Sequence, residues 1–147
     1  MNYIGFWKRV LASLIDWLVM LIPGMIVGAI IGAIAPLILL TSRSETAAIG
    51  ASFGIAILSN IVMTLLYWLY YACMESSTLQ GTVGKLALGI KVVDLNGDKI
   101  TFTRATGRYF SKIVSGLILC IGYIMVAFTD KKQGLHDIMA GTLVIKK

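Results

Sequence analysis

The chain has 147 residues, 58% of them hydrophobic and only 14% charged, with a mean hydropathy of +0.87 and a formal net charge of +6. Such a composition cannot cover itself with a water-facing surface, which excludes a soluble globular protein and makes the bilayer its solvent. The length holds one membrane domain of a few spans with no separate enzyme domain, and no basic stretch is interleaved with stacking aromatics, so the positive charge follows the positive-inside rule rather than nucleic-acid binding.

Lys8 and Arg9 precede an apolar run, and Ala33-Ile34-Ala35 resembles a leader cleavage site. The run is too long for a leader, contains Asp16 and meets Pro36 at the cleavage point, so it is expected to remain as a membrane helix. This first run, 10–40, exceeds the roughly 20 residues that span a bilayer, so the helix starts in the interface, tilts, or kinks near Pro23. A polar loop, 41–46, carries Arg43 and Glu45. The second run, 47–73, has no charged residue and ends in Tyr67, Trp68, Tyr70 and Tyr71, aromatics suited to the headgroup level. Cys73 and Cys120 lie in or beside apolar runs and are expected as buried thiols, not as a disulfide or metal pair.

From 75 to 108 the composition turns polar, with Lys85, Lys91, Lys99, Arg104 and Arg108. Asn96-Gly97 between β-prone stretches predicts a short cytoplasmic β-hairpin, since a type I′ turn needs positive φ. Thr103 is placed to cap a helix on which Arg104, Arg108 and Lys112 recur every four residues, a basic stripe expected to face headgroups or water. The third apolar run, 111–128, is short and contains Gly116 and Gly122. A simple third span would strand Lys131, Lys132, Lys146 and Lys147 opposite the other basic residues. A broken or hairpin-like segment, bent near Cys120 to Gly122, instead returns the C-terminus to the basic side. With both termini and the polar segment cytoplasmic, twelve of the thirteen basic residues share one side and Arg43 is left outside. The fold class expected is an all-α polytopic membrane protein, a small helical bundle in a single domain over 1–147.

Asp16 stands inside an apolar stretch, seven residues and about 10.5 Å along the helix axis from Arg9, too far for easy direct pairing. In hydrocarbon a lone carboxylate costs about 2.5–3.5 kcal/mol or more, so Asp16 requires a partner, a proton, or water. Burial would raise its pKa and make it a proton-binding group; a nearby cation would lower it again. Asn60 and Ser59, midway along the second run, are placed for a hydrogen bond between helices or for a polar cavity. Gly24, Gly28 and Gly32 repeat every four residues, a face that permits close helix packing within one chain or between copies in a homo-oligomer. Gly81-Thr82-Val83-Gly84-Lys85 fails as a phosphate-binding loop, because Leu79 and Leu86 occupy the positions of its first glycine and its hydroxyl residue. His136 is the only histidine, which leaves no cluster for a metal, and neither serine nor cysteine has a base at recognisable spacing. No catalytic residue and no cofactor are expected.

Three landmarks together carry a resemblance: Gly5-Phe6-Trp7-Lys8-Arg9 with Ile15-Asp16, the central stretch from Gly84-Lys85-Leu86 to Val93-Asp94, and Gln133-Gly134-Leu135-His136-Asp137 followed by Ala140-Gly141-Thr142. The chain resembles the RDD family of small membrane proteins, named for an arginine and two aspartates, over nearly its whole length. By position these match Arg9, Asp16 and Asp137. Many relatives have Ala after Gly81 where this chain has Thr82, a difference expected to be without functional consequence. The resemblance implies a multi-helix membrane domain, with sodium/proton exchange proposed for some relatives and scaffold or accessory roles for others. The leading expectation is a transporter that couples protons to a small cation through Arg9, Asp16 and Asp137, with Asn60, Lys85 and His136 as supporting polar residues. The alternative is a non-transporting scaffold whose triad is a structural clasp.

Overall fold

The computed structural model describes residues 2–42, 44–117 and 121–147. Arg43, Cys120 and the start of the expected bend lie outside the described residues. Mostly helical, the chain runs α1 (Phe6–Leu40), α2 (Glu45–Ser76), α3 (Val83–Ala87), β1 (Ile90–Asp94), α4 (Phe102–Leu117), α5 (Ile121–Ile124) with a 3₁₀ turn at Met125–Ala127, α6 (Leu135–Ala140) and β2 (Thr142–Lys146). Helices α1 and α2 are long and apolar enough to cross a membrane. At 35 residues, α1 is about 50 Å long, more than the hydrocarbon of a bilayer, and it continues as helix through Pro23 and Pro36. The third apolar run is broken, as expected: α4 and the segment Ile121–Ala127 differ in direction by 116°.

The chain forms two compact units. One comprises Met20–Tyr67, the apolar parts of α1 and α2 with their connecting loop. Apolar side chains here, Ile26, Ile30, Phe53 and Ile57 among them, are more than half exposed to what in a bilayer is lipid. A Cβ on Gly24 would touch Met63 Cε at 3.5 Å, whereas one on Gly28 or Gly32 would meet nothing within 4 Å. Asn60 bonds back to the Ala56 carbonyl (2.8 Å), and Ser59 to that of Ile55 (2.8 Å). Both therefore satisfy themselves on their own helix.

The other unit, Met1–Val19 with Trp68–Lys147, holds the polar chemistry. Its two-stranded antiparallel sheet pairs Ile90 with Lys146, Val92 with Val144 and Asp94 with Thr142. A two-stranded sheet was expected, but its second strand is the C-terminal one and not the residues after Asn96-Gly97. Those two residues do turn the chain, with Gly97 at φ +96° and the Asp94 amide bonded to the Asp98 carbonyl at 2.9 Å. The turn does not grow into a ladder because β2 offers four consecutive buried residues, Thr142 to Ile145, against both faces of β1. Ile90 and Val92 pack with Val144, Ile4 and Ala72, and Val93 packs with Leu143 and Ile145. Residues 99–101 offer only Ile100. The N-terminus joins the outer side of β2: Ile4 donates to the Val144 carbonyl (3.0 Å) and Lys146 to that of Asn2 (2.9 Å). The two ends of the chain thus lie side by side.

Helix α4 buries Ala105, Arg108, Ser111 and Ser115 along one face at helical spacing. Its start is capped by Thr101, whose hydroxyl accepts from the Arg104 amide at 3.3 Å, and not by Thr103. The expected basic stripe is divided: Arg104 is exposed beside Asp94, while Arg108 is 2% exposed and turned inward. Cys73 is exposed on α2, so the buried-thiol expectation is corrected there; the neighbouring Ala72 faces the core instead.

A buried ion-pair network at the end of the long helices

Asp16 is 1% exposed and takes hydrogen bonds from Tyr70 Oη (2.8 Å), Thr82 Oγ1 (2.6 Å) and the Gly84 amide (2.7 Å). The carboxylate sits at the start of α3, where unpaired amides and the helix dipole favour a negative charge. Tyr70 in turn accepts from the Val83 amide at 3.1 Å. A Cβ on Gly84 would lie 2.0 Å from the Ala12 carbonyl oxygen, so only glycine lets α3 approach α1 this closely. Thr82, expected to be inconsequential, is one of the three donors that Asp16 needs.

The second carboxylate, Asp137 at the start of α6, is fully buried. Arg9 Nη1 pairs with its Oδ2, Arg108 Nη2 lies 2.8 Å from its Oδ1, and the Gly134 amide donates to Oδ2 at 3.2 Å. Arg9 also donates to the carbonyls of Lys132 (2.5 Å) and Ile4 (3.2 Å), drawing the 129–134 loop and the N-terminus together. Arg108 then reaches the third carboxylate: its Nη1 donates to Glu75 Oε2 at 2.8 Å. The planar guanidinium, with five donors in a fixed fork, suits this bridge between two carboxylates better than an ammonium would. Glu75, at the end of α2, accepts from Lys85 on its other oxygen. Lys112 Nζ stands 3.8 Å from that oxygen and 4.0 Å over the Tyr71 ring.

Burial raises the Asp137 pKa, but the guanidinium groups of Arg108 and Arg9 outweigh it and hold the carboxyl well below its ordinary range. Burial pushes the Lys85 ammonium down to about 7, against the pull of Glu75. His136 is pushed down to about 3, first by burial and then by the neighbouring cations against Asp137, so its ring is neutral. Its Nε2 is 3.4 Å from Asp137 Oδ1, its ring packs on Tyr123, and its Nδ1 has no hydrogen-bond partner among the described residues. Beside the network lies a cavity of about 750 Å³, walled by Arg9, Asp16, Lys85, Arg108, Lys112 and His136 on one part and by aromatic and aliphatic side chains on the rest. Among the described residues no group of three or more His, Cys, Asp or Glu could hold a metal.

Of the expected triad, Arg9 and Asp137 form a direct pair although 128 residues separate them. Asp16 is not joined to them by an ion pair; its partners are neutral donors from α2 and from the start of α3. Lys85 and His136 are in the network and Asn60 is not part of it. Of the two residues at its centre, Glu75 was not singled out in the sequence, and Arg108 was read only as part of the basic stripe. The available signal was Glu75 itself, a carboxylate directly after an uncharged apolar run, together with a cation on the same stripe as Lys112.

The sequence model of the RDD family matches residues 3–141. The chain is 39% identical to the "Uncharacterized protein YxaI" of Bacillus subtilis (strain 168), over 97% of each chain. It is 34% identical to the "Uncharacterized membrane protein YteJ" of the same organism, over 97% of this chain and 80% of that one. A shorter likeness, 33% over 60% of this chain and 47% of the other, connects it to the "Uncharacterized protein RP437" of Rickettsia prowazekii (strain Madrid E). No solved structure matches.

Proposed function

This chain belongs to the RDD family and is a membrane protein, and we propose that it is a non-transporting scaffold or accessory protein whose buried network is a structural clasp. The observation that carries this reading is the commitment of all three buried carboxylates. Asp16 has three donors, Asp137 has two guanidinium groups and an amide, and Glu75 has Lys85 and Arg108. A carboxylate that carries protons across a membrane must exchange its partners during each cycle, whereas a clasp holds them. What the clasp joins is the N-terminal part of α1, the end of α2, α4 and α6.

The termini and the 75–108 segment are assigned to the cytoplasmic side of the cell membrane, on the positive-inside count and on the hydrogen bonds that keep both ends together. Cysteine labelling at position 147 from outside intact cells tests that assignment: no labelling is expected, and labelling would reverse it.

One observation favours the second reading, proton-coupled cation transport. Lys85, at the cavity wall, has a pKa of about 7, so a proton could come and go there near neutral pH. Purified protein in liposomes separates the readings. Under a sodium or potassium gradient, an internal pH dye should report the same rate as in empty liposomes. A rate above that background, abolished by Lys85→Gln or Asp16→Asn, would replace the clasp by the transporter.

A further inference from the structure

The cavity beside the clasp carries a charge excess that fastening alone does not use. With Lys85 protonated, four cations, Arg9, Lys85, Arg108 and Lys112, share two carboxylates, Glu75 and Asp137, which leaves two positive charges in excess. Asp16, in the same cavity wall, brings the excess to one. An unbalanced charge away from water is costly, and a monoanion would relieve it. Lys112 is the cation least committed to the protein: its ammonium is beyond hydrogen-bonding distance of Glu75, and its side chain is 21% exposed. His136 Nδ1, buried and unpartnered among the described residues, belongs to a ring in the same wall. With Nε2–H toward Asp137, Nδ1 is left as an acceptor that suits a hydroxyl.

The rest of the wall is largely apolar, aromatic in part and aliphatic in part. Leu14, Ile113 and Ile124 line the cavity and are each about half exposed, so its mouth is framed by apolar side chains. In a membrane protein such a mouth opens to hydrocarbon and not to water. Positive charge within, a hydroxyl acceptor beside it and an aliphatic entrance describe an amphiphile with a monoanionic, hydroxyl-bearing head. We propose that this cavity binds an anionic phospholipid, its phosphodiester at Lys112 and Arg9 and an acyl chain leaving past Leu14, Ile113 and Ile124. The site does not depend on whether the protein moves ions.

Thermal melting of the full-length protein in neutral detergent micelles doped with phosphatidylglycerol, phosphatidylcholine or free glycerol phosphate tests the proposal. Phosphatidylglycerol should raise Tm by about 3 °C or more in a concentration-dependent way, and the other two should not. Lys112→Gln gives up a like charge beside Arg108 along with its approach to Glu75 and its place over the Tyr71 ring; whatever its melting point without lipid, it should lose the phosphatidylglycerol increment. Lys112→Arg should keep that increment. Should Lys112→Gln not fold, Leu14→Trp, which fills the mouth, supplies the same comparison and should also lose the increment. Equal shifts from both lipids, a full increment in Lys112→Gln or Leu14→Trp, or an equal shift from free glycerol phosphate would each overturn the proposal.

Discussion

Gly84 has no room for a methyl group, since its added carbon would fall 2.0 Å from a backbone oxygen of α1. Gly84→Ala must push α3 from Asp16 and is expected to lower stability by about 1–3 kcal/mol, read as a fall in Tm in detergent. Asp16→Asn is expected to cost roughly 1–3 kcal/mol in the same assay, because the amide nitrogen confronts donors that the carboxylate accepted from. The need of Asp16 for partners was legible as a carboxylate set in an apolar run. Their identity was not, because a tyrosine, a threonine and a backbone amide carry no charge pattern to find. Arg9 and Asp137 were recognisable as a pair only through the family resemblance, since a separation of 128 residues has no local signature. Glu75 and Arg108 sit in stretches that read as ordinary polar surface, and only the tertiary fold turns them inward.

Among the elements, the two long helices announce themselves by uninterrupted hydropathy, and the break in the third apolar run followed from charge placement. The strand partner did not follow, because Asn-Gly marks a turn while pairing is decided by which distant segment buries more apolar surface. Val144→Asp tests that choice. Val144 is fully buried between Val92 and Ile4, so a carboxylate there should abolish cooperative melting, the cost of an unpaired buried charge being several kcal/mol. The glycine stripe of α1 was legible as a pattern, yet only Gly24 meets a neighbour within the chain. Gly28→Ile is therefore expected to leave the Tm of the monomer unchanged; a fall in mass in detergent on this substitution would place the stripe at a contact between copies.

For the molecule as a whole, the buried histidine gives stability a pH dependence of definite sign. His136 holds its proton only below about pH 3 in the folded chain, against the ordinary histidine value of 6.5. Between those values the unfolded chain binds a proton that the folded chain refuses, so the share of stability that depends on His136 is complete above about pH 6.5 and is lost progressively as the pH falls toward 3. Melting should be lower at pH 5 than at pH 7.5, and His136→Gln should flatten that difference. The depressed pKa of Asp137 adds a further loss as the pH falls below its ordinary value of 3.8.

The central claim is that the buried carboxylates and their cations act as one fastening, and a double-mutant cycle on Arg9 and Asp137 tests it most directly. Arg9→Ala and Asp137→Asn alone should each cost roughly 3 kcal/mol, because each takes from a buried charged group one of its opposite charges. Together they should cost less than the sum by about 1 kcal/mol or more, the mark of residues that act through each other. Losses that simply add in the double variant would show that Arg9 and Asp137 are not fastened to one another, and would contradict the account.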